Sequence, residues 1–403
     1  MGGLKSHHRI LRYSVIRKDL FTLFDYVIKN GTIIDPSSNT VGKRLWIGIE
    51  GPLIAKVSDE PLEGRCVVDA AGCYVTPGLI DFHTHLFHRG SEFGLKPDLL
   101  LSQGVTSAVD AGTSGSAGFE SFYHSGILPA TVDVRAFISL GATGLSDPNH
   151  HQRYDKEKVN IKKLRTLKRL YGESILGIKV AMSKHDVGSL GIEPLKTAIE
   201  IAEDIGDLRV CIHTTDPPCD SKELLDILRP GDIFCHCFHG TGSCILDTSG
   251  HVRKEYWDAR QKGVIFDAAN GINHTNHICS MTAVREGFLP DIISSDMVSF
   301  AYGISPRNRS LPYVMSKYLA FGMPLVQIIK AVTQTPAAIM GMSGKIGTLQ
   351  PGAFADIAIL KEEHASVQFE DAAKNLFSGQ TLLCPQMTIK KGQVVFFQNT
   401  FNV

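Results

Sequence analysis

The sequence lacks an excess of charge of either sign. Lysine and arginine together number 41, aspartate and glutamate also number 41, and the formal net charge at pH 7 is zero. A basic surface is what draws proteins to nucleic acid or to anionic membranes, so neither partner is expected. The sequence also has no apolar run approaching the ~18–20 residues that a membrane-spanning helix needs. These absences favour a small-molecule substrate.

Paired cysteine motifs are also missing. The nine cysteines are an odd number, and no two of them form a C-x-x-C pair. A chain of 403 residues does not need disulfide staples, so free thiols and a cytoplasmic location are expected. Residues 1–23 carry five lysines and arginines but no apolar run of signal-peptide length. They are predicted to be an N-terminal extension, with a transit peptide as the alternative.

Two β-rich regions flank a long central region. Residues 24–75 contain short β-like runs around Asn30-Gly31, a strong hairpin signal, and residues 345–403 have a similar texture. Together they are predicted to form one small composite β-sandwich domain, built from both chain ends. Residues 76–344 alternate apolar strands with amphipathic helices. This α/β pattern predicts a (β/α)8 TIM barrel domain over these residues.

The barrel prediction rests on eight strand candidates and on the helical segments between most of them. The predicted strands are 78–83, 107–110, 132–138, 176–180, 209–213, 233–236, 265–267 and 292–295. The predicted helices include 97–101, 159–171, 194–204, 221–228 and 324–332.

The pair His83 and His85 is the sharpest chemical feature of the sequence. Residues two apart on a strand point the same way, so both imidazoles are expected to project from the end of the first barrel strand. Active sites of TIM barrels lie at that end, and two imidazoles on one face make half of a Zn²⁺ site. His-x-His alone is a weak motif among 16 histidines, but here it closes an apolar run after Pro77-Gly78.

Four more residues that can bind metal end later strands. Lys179, His213, His236 and Asp296 close the predicted fourth, fifth, sixth and eighth strands. Desolvation lowers the pKa of a lysine and yields the neutral amine that reacts with CO₂. The resulting carbamate on Lys179 would be an anionic bridge between two divalent metal ions. The four imidazoles favour Zn²⁺, with Mn, Co and Fe left open.

Two cysteines flank His236. Because neighbouring residues of a strand face opposite sides, Cys235 and Cys237 are predicted to point towards the helices. Buried cysteines of this kind behave as small apolar residues.

With these residues in place, the chain resembles the amidohydrolase superfamily of metallo-dependent hydrolases. Its nearest likeness is to the amidohydrolase/deacetylase group, which includes acetyl-hydroxyacid and N-acetyl-amino-acid deacetylases. The likeness covers about residues 25–398 and rests on the stretches 77–85, 104–113, 177–180, 228–233, 236–240, 290–296, 316–325 and 347–356. It implies His83 and His85 on the more buried metal, His213 and His236 on the other, carboxylated Lys179 as the bridge, and Asp296 as ligand and base.

Two stretches depart from the pattern of that group. Residues 267–274 stand where relatives usually have Gly-His-Gly before Ser-Phe, and Met297-Val298 follows the last ligand where a histidine is common. Both stretches lie on the seventh and eighth barrel loops, which shape the substrate pocket. Residues predicted to face the substrate, with a plain loop role as the alternative for each, are His239, Thr113, Asn273, His274 and Arg307.

The predicted activity is hydrolysis of a small amide or ester by a binuclear zinc enzyme, through a metal-bridging hydroxide and an aspartate base. Deacetylation of an N-acyl amino acid or an O-acetyl hydroxyacid is the leading form. One alternative is a cyclic amidohydrolase of the dihydroorotase or hydantoinase type. Another is a catalytically silent hydantoinase-like scaffold protein, although such proteins lose metal ligands that this chain keeps. Large barrel enzymes often pair by symmetry, so a homo-oligomer is open.

Overall fold

The computed structural model of this chain describes residues 23–146, 154, 159–206 and 208–401. The predicted N-terminal extension lies outside these residues except for its last position. In chain order the strands are β1 Phe24–Lys29, β2 Thr32–Asp35, β3 Thr40–Arg44, β4 Trp46–Glu50, β5 Leu53–Ser58, β6 Gly64–Asp69, β7 Cys73–Pro77, β8 Leu79–Thr84, β9 Val105–Gly115, β10 Asp133–Ser139, β11 Ile175–Ala181, β12 Arg209–His213, β13 Ile233–Cys235, β14 Ile265–Asp267, β15 Ile357–Glu370, β16 Leu376–Lys390 and β17 Gln393–Phe397.

Along the chain, the α-helices lie between the barrel strands and between the last barrel strand and β15. They are α1 Phe119–Phe122, α2 Ile161–Tyr171, α3 Lys184–Val187, α4 Glu193–Ile205, α5 Ser221–Ile227, α6 Lys254–Lys262, α7 His277–Arg285, α8 Leu311–Ala320, α9 Leu325–Ala331 and α10 Gln334–Ile339. Four of the five predicted helices agree with α2, α4, α5 and α9. The fifth, at 97–101, is a 3-10 helix over Pro97–Gln103. No helix in the described ranges is both long and apolar enough to cross a membrane.

A parallel sheet of seven strands forms most of a barrel, in the order β8-β9-β10-β11-β12-β13-β14. Residues 292–297 fill the gap between β14 and β8. Ile292 bridges to Asp267 on one side and Met297 bridges to Thr84 on the other, both in parallel. The α/β fold is therefore the predicted (β/α)8 TIM barrel, and its eighth strand is present as two bridges instead of a continuous ladder.

The two chain ends form a β-sandwich beside the barrel. One sheet has the order β5-β4-β1-β6 and the other β17-β16-β15-β7-β2-β3. β15 runs antiparallel to β7, with Ile357 opposite Pro77, so strands from both ends of the chain share one sheet. Apolar side chains that include Ile47, Val75 and Ile389 fill the space between the sheets. A sandwich built from both chain ends agrees with the prediction. The domain limits near residues 75 and 345 stay a prediction.

The hairpin predicted at Asn30-Gly31 is wrong. β1 and β2 lie in different sheets, so the turn carries the chain from one sheet to the other. Asn30 has the left-handed φ of 64° that such turns need. The flanking Ile28 and Ile33 both enter the core of the sandwich. Burying both residues from opposite sheets outweighs the local preference of the dipeptide for a hairpin, because turn signals are weaker than core burial.

A buried ion-pair cluster joins the sandwich to the barrel. Lys390, at the end of β16, is 3% exposed, and its Nζ donates to Asp356 Oδ2 at 2.6 Å and to Asp133 Oδ2 at 2.7 Å. Asp133 begins the barrel strand β10, whereas Lys390 belongs to the sandwich sheet. Removing one partner of a buried ion pair leaves an uncompensated charge, and this is strongly destabilising.

Replacing Lys390 with alanine should therefore lower the free energy of unfolding by about 3–5 kcal/mol, measured by urea denaturation. The matched control is Lys361→Ala, because Lys361 forms an exposed pair with Glu363 at 3.8 Å. Its loss should change the free energy by no more than about 1 kcal/mol. Equal effects of the two substitutions would contradict a role for Lys390 in joining the domains.

Candidate metal centre

The C-terminal end of the barrel strands holds a pocket of about 280 Å³. All six residues that the sequence analysis assigned to metal ions line this pocket, together with His274. They come from the ends of five separate strands. The six residues are His83, His85, Lys179, His213, His236 and Asp296.

Three groups of possible ligand atoms occur in the described residues; two of them line this pocket, and the third combines His83 with Cys235 and Asp267. His83, His85 and Asp296 each offer one atom, and the three atoms lie within 4.8 Å of one another. His213, His236 and His274 form a second group that meets the same distance limit. Imidazole nitrogens and carboxylate oxygens are ligands that zinc-like ions prefer. The donors present therefore fit two divalent ions.

Acceptors behind the histidines fix the orientation of the rings. His83 Nδ1 lies 3.3 Å from Asp267 Oδ2, and His85 Nδ1 lies 2.9 Å from Thr113 Oγ1. Thr113 in turn donates to Asp110 Oδ2 at 2.7 Å. Such partners hold the tautomer and aim Nε2 at the metal position. Thr113, predicted to face the substrate, lies behind His85.

Sequence reasoning did not assign this orienting role to Asp267. The sequence feature that could have indicated this role is the position of Asp267 at the end of the seventh barrel strand, on the same edge as the ligands. Asp267 also accepts from Ser294 Oγ at 2.6 Å and from the Ala269 N–H at 3.0 Å, so its carboxylate is itself fixed.

Burial keeps the imidazoles of His83, His213 and His236 neutral. Burial and the nearby Lys179 cation lower the pKa of His83 to about 4. Burial also lowers the pKa of His213 and of His236 well below the usual range. A neutral imidazole is the form that binds a metal ion, so these side chains are ready to bind at neutral pH.

Asp296 stays ionised in the same surroundings. Burial on its own would raise the pKa of its carboxyl, but a hydrogen bond with His85 and the imidazoles around it outweigh that effect and lower the pKa. Asp296 Oδ1 lies 3.1 Å from His85 Nε2. A carboxylate of this kind can bind a cation or accept a proton.

The pKa of Lys179 is raised, whereas burial alone led us to expect it to be lowered. Burial favours the neutral amine, but the thiols of Cys211 and Cys235 and nearby carboxylates favour the ammonium form and outweigh it. Lys179 Nζ lies 3.3 Å from His83 Nε2 and 3.7 Å from Cys211 Sγ. Cations beside Nζ would oppose the ammonium form, so a carbamate is expected only together with bound metal.

Cys235 faces the interior of the barrel, and the prediction that it points towards the helices is wrong. Its Sγ lies 3.2 Å from Cys211 Sγ, among the apolar residues that fill the barrel. The alternation of β13 ends at Cys235 because His236 adopts a left-handed φ of 58°. The turn brings both side chains to the inner side. Cys237 packs in the outer apolar layer, as predicted.

Of the five residues predicted to face the substrate, His274 lines the pocket. Arg307 instead pairs with Glu370 at 2.6 Å, and it donates to Asn273 Oδ1 at 3.4 Å. His239 is 1% exposed and lies outside the residues that line the pocket.

Part of the pocket wall comes from connecting segments and from the short helix α3. It includes Phe93, Leu145, His185, Asp186 and Val298, of which only Val298 was singled out from the sequence. The Ser299 N–H donates to the Phe93 carbonyl at 2.9 Å, which joins the first and eighth barrel loops. The sequence has no hydrophobic periodicity that would place such residues in the pocket, because their position depends on the closed barrel.

Comparison with known proteins agrees with this geometry. Residues 74–395 match the model of the amidohydrolase family. The chain belongs to the amidohydrolase family. It is 30% identical to a deacetylase from Brucella anthropi over 76% of this chain and 75% of that protein. It is 29% identical to a deacetylase from Enterococcus faecalis over 92% of this chain and 99% of that protein.

Solved structures show the same architecture. A crystal structure described as an adenine deaminase superposes with a TM-score of 0.84 at 28% identity, covering 93% of this chain and all of that one (100%). A dihydroorotase structure superposes with a TM-score of 0.81 at 24% identity, covering 93% of this chain and 98% of that one. The family and its deacetylase relatives make this amidohydrolase a metal-dependent hydrolase that acts on amide bonds.

Replacing Asp267 with asparagine should weaken metal binding about 10–100-fold, because a neutral amide holds the His83 ring less firmly. Competition with a chromophoric chelator measures the affinity. Asp258→Asn is the control, since Asp258 pairs with Lys254 on the surface of α6, at 2.7 Å from Nζ to Oδ1. An Asp267 variant with the affinity of the control would show that the carboxylate does not orient a ligand.

Proposed function

We propose that this amidohydrolase is a binuclear zinc deacetylase that acts on a small N-acyl amino acid or O-acetyl hydroxyacid. The observation that carries the proposal is the pair of adjacent ligand groups, each with its three atoms within 4.8 Å of one another. Lys179 Nζ lies 3.3 Å from His83 Nε2, at a place where a carbamate could bridge two ions. The relatives called deacetylases support the substrate class.

His83, His85 and Asp296 would hold the more buried ion, and His213 and His236 the other. Bound divalent ions would lower the pKa of a water molecule and polarise the acyl carbonyl of the substrate. The chain supplies the neutral imidazoles and the aspartate. It also supplies apolar walls that limit the access of other water molecules.

Asp296 would act as the base. Its Oδ1 faces His85 Nε2 at 3.1 Å, which leaves Oδ2 to take the proton of the attacking water and pass it to the leaving nitrogen or oxygen. Asn308 Nδ2 donates to the Ser295 carbonyl at 3.0 Å and to the Asp296 carbonyl at 3.3 Å. These bonds hold the backbone that presents the carboxylate.

The size of the pocket supports a small substrate. Its volume of about 280 Å³ lies just below the range of about 300–1,000 Å³ that is common for ligand pockets. Phe93, Leu145 and Val298 make part of its wall apolar. A short acyl group with a compact leaving group suits these dimensions.

The zinc-loaded protein should release the acyl group from N-acetyl-D- or L-amino acids or from O-acetyl hydroxyacids, measured as acetate. Chelator-treated protein and Asp296→Asn are the controls, and the variant should lose about 10²–10⁴-fold in kcat.

Ring opening of hydantoins or dihydroorotate without any deacetylation would favour the cyclic amidohydrolase instead. Protein that binds less than one ion per chain and turns over neither class would favour the silent scaffold.

Replacing Lys179 with alanine should remove most of the activity, because a ligand that bridges two ions is lost. The loss should exceed the about 10–100-fold typical of residues that only orient ligands. Formate or propionate should partly restore the activity by standing in for the carbamate. The control is Lys184→Ala, an exposed lysine that pairs with Asp216 at 2.9 Å. Near-normal activity of the Lys179 variant would exclude the carbamate.

Location and assembly stay predictions. We propose a cytoplasmic enzyme on the basis of its cysteine usage, since the nine cysteines all lie in the described ranges and are free thiols. A homo-oligomer remains the expectation that symmetry among large barrel enzymes suggests.

A further inference from the structure

The seventh barrel loop brings an additional histidine to the metal centre. His274 follows β14 by seven residues, and its side chain is 23% exposed. The centre of its ring lies 4.3 Å from that of His236 and 4.7 Å from that of His213. These distances are similar to the 4.4 Å between His213 and His236 themselves. His274 is therefore placed as a third member of this imidazole group.

The two nitrogens of His274 have different surroundings. Nδ1 lies 2.9 Å from Thr215 Oγ1, whereas Nε2 faces the centre and lies 3.8 Å from Asp296 Oδ2. His83, His85 and His236 share this arrangement, in which an oxygen lies behind Nδ1; for His236 it is the Ala269 carbonyl at 2.7 Å. A ring that is anchored at one nitrogen and directs the other into the site is the arrangement of metal-binding histidines.

The backbone of the loop is shaped to permit this approach. Gly271 has a φ of 56°, and a Cβ at this position would lie 2.4 Å from Asp296 Oδ2 and 2.5 Å from His274 Cδ2. Any larger residue would push the imidazole and the carboxylate apart. The glycine thus allows the loop to place His274 directly against the site.

We propose that His274 is a third imidazole ligand of the metal ion held by His213 and His236. The inference rests on the proposed two-metal centre and extends it. A third nitrogen would saturate the outer site with the imidazole donors that zinc-like ions prefer over magnesium. It would leave the inner site to His83, His85 and Asp296, so that the two sites differ in charge.

The test compares the metal binding of the whole protein and of His274→Ala. Titration of the metal-free chains with Zn²⁺ against a chromophoric chelator should give two ions for the wild type. In the variant, one of the two ions should bind at least about tenfold more weakly. Co²⁺-loaded protein should show a changed visible absorption spectrum, because the ligand field of one ion loses a nitrogen. Neither readout depends on turnover.

Two further variants provide a second test and a control. Thr215→Val removes the anchor of Nδ1 but leaves the imidazole, so it should weaken the same ion by a smaller factor. His185→Ala is the matched control, since this histidine lines the pocket but belongs to neither ligand group, with a side chain that is 79% exposed. Its affinities and Co²⁺ spectrum should equal those of the wild type. If His274→Ala does not fold, the metal affinity of Thr215→Val decides the assignment of His274 as a ligand.

The outcomes separate this proposal from the proposed function. A wild type that binds two ions, with unchanged affinities and spectrum in His274→Ala, would overturn the ligand assignment alone. A change in KM or kcat with unchanged metal binding would make His274 a substrate-binding or proton-transfer residue instead, which also overturns it. A wild type that binds less than one ion would overturn both proposals together.

Discussion

Electron-pair donors that converge on a buried point repel one another unless a cation lies between them. The open end of this barrel gathers the five imidazoles and the one carboxylate of the two ligand groups within one pocket of about 280 Å³. Water cannot solvate them fully there, because His83 and His236 are 2% and 1% exposed. The fold must therefore hold these groups in place against their own repulsion. Strand ends, anchoring oxygens and constrained turns all contribute to that task.

Part of the cost appears in the backbone. His236, Ala269 and Asp296 have positive φ angles of 58°, 38° and 50°, and each of them lies where a barrel strand ends at the site. A residue other than glycine in such a conformation costs on the order of 1–3 kcal/mol. The surrounding barrel supplies the packing that tolerates this strain. These three are among the nine non-glycine residues with positive φ in the described part of the chain, and all three lie at the edge of the barrel sheet that carries the site.

Much of this architecture could be read from the sequence, since strand periodicity and the position of each ligand at a strand end are local properties. His83, Lys179, His213 and Asp296 needed only the pattern of apolar runs to be placed on one rim. The errors arose where tertiary contacts overrule local rules. Alternation failed at Cys235 because the next residue turns to a left-handed conformation, and the hairpin at Asn30-Gly31 gave way to burial in the sandwich. The pocket wall and the inward position of His274 depend on loops, which carry no periodicity.

The sheet shared by the two ends of the chain has a consequence for the order of biosynthesis. β7 cannot pair with β15 until residues 357–361 have left the ribosome, and about 280 residues separate Ile357 from Pro77, its partner in the ladder. Contacts so distant in sequence make folding slow and expose strand edges in the meantime. One edge of β7 thus waits unpaired while these residues are translated. The sheet can close only after β15 is synthesised, and chaperones have that interval in which to act.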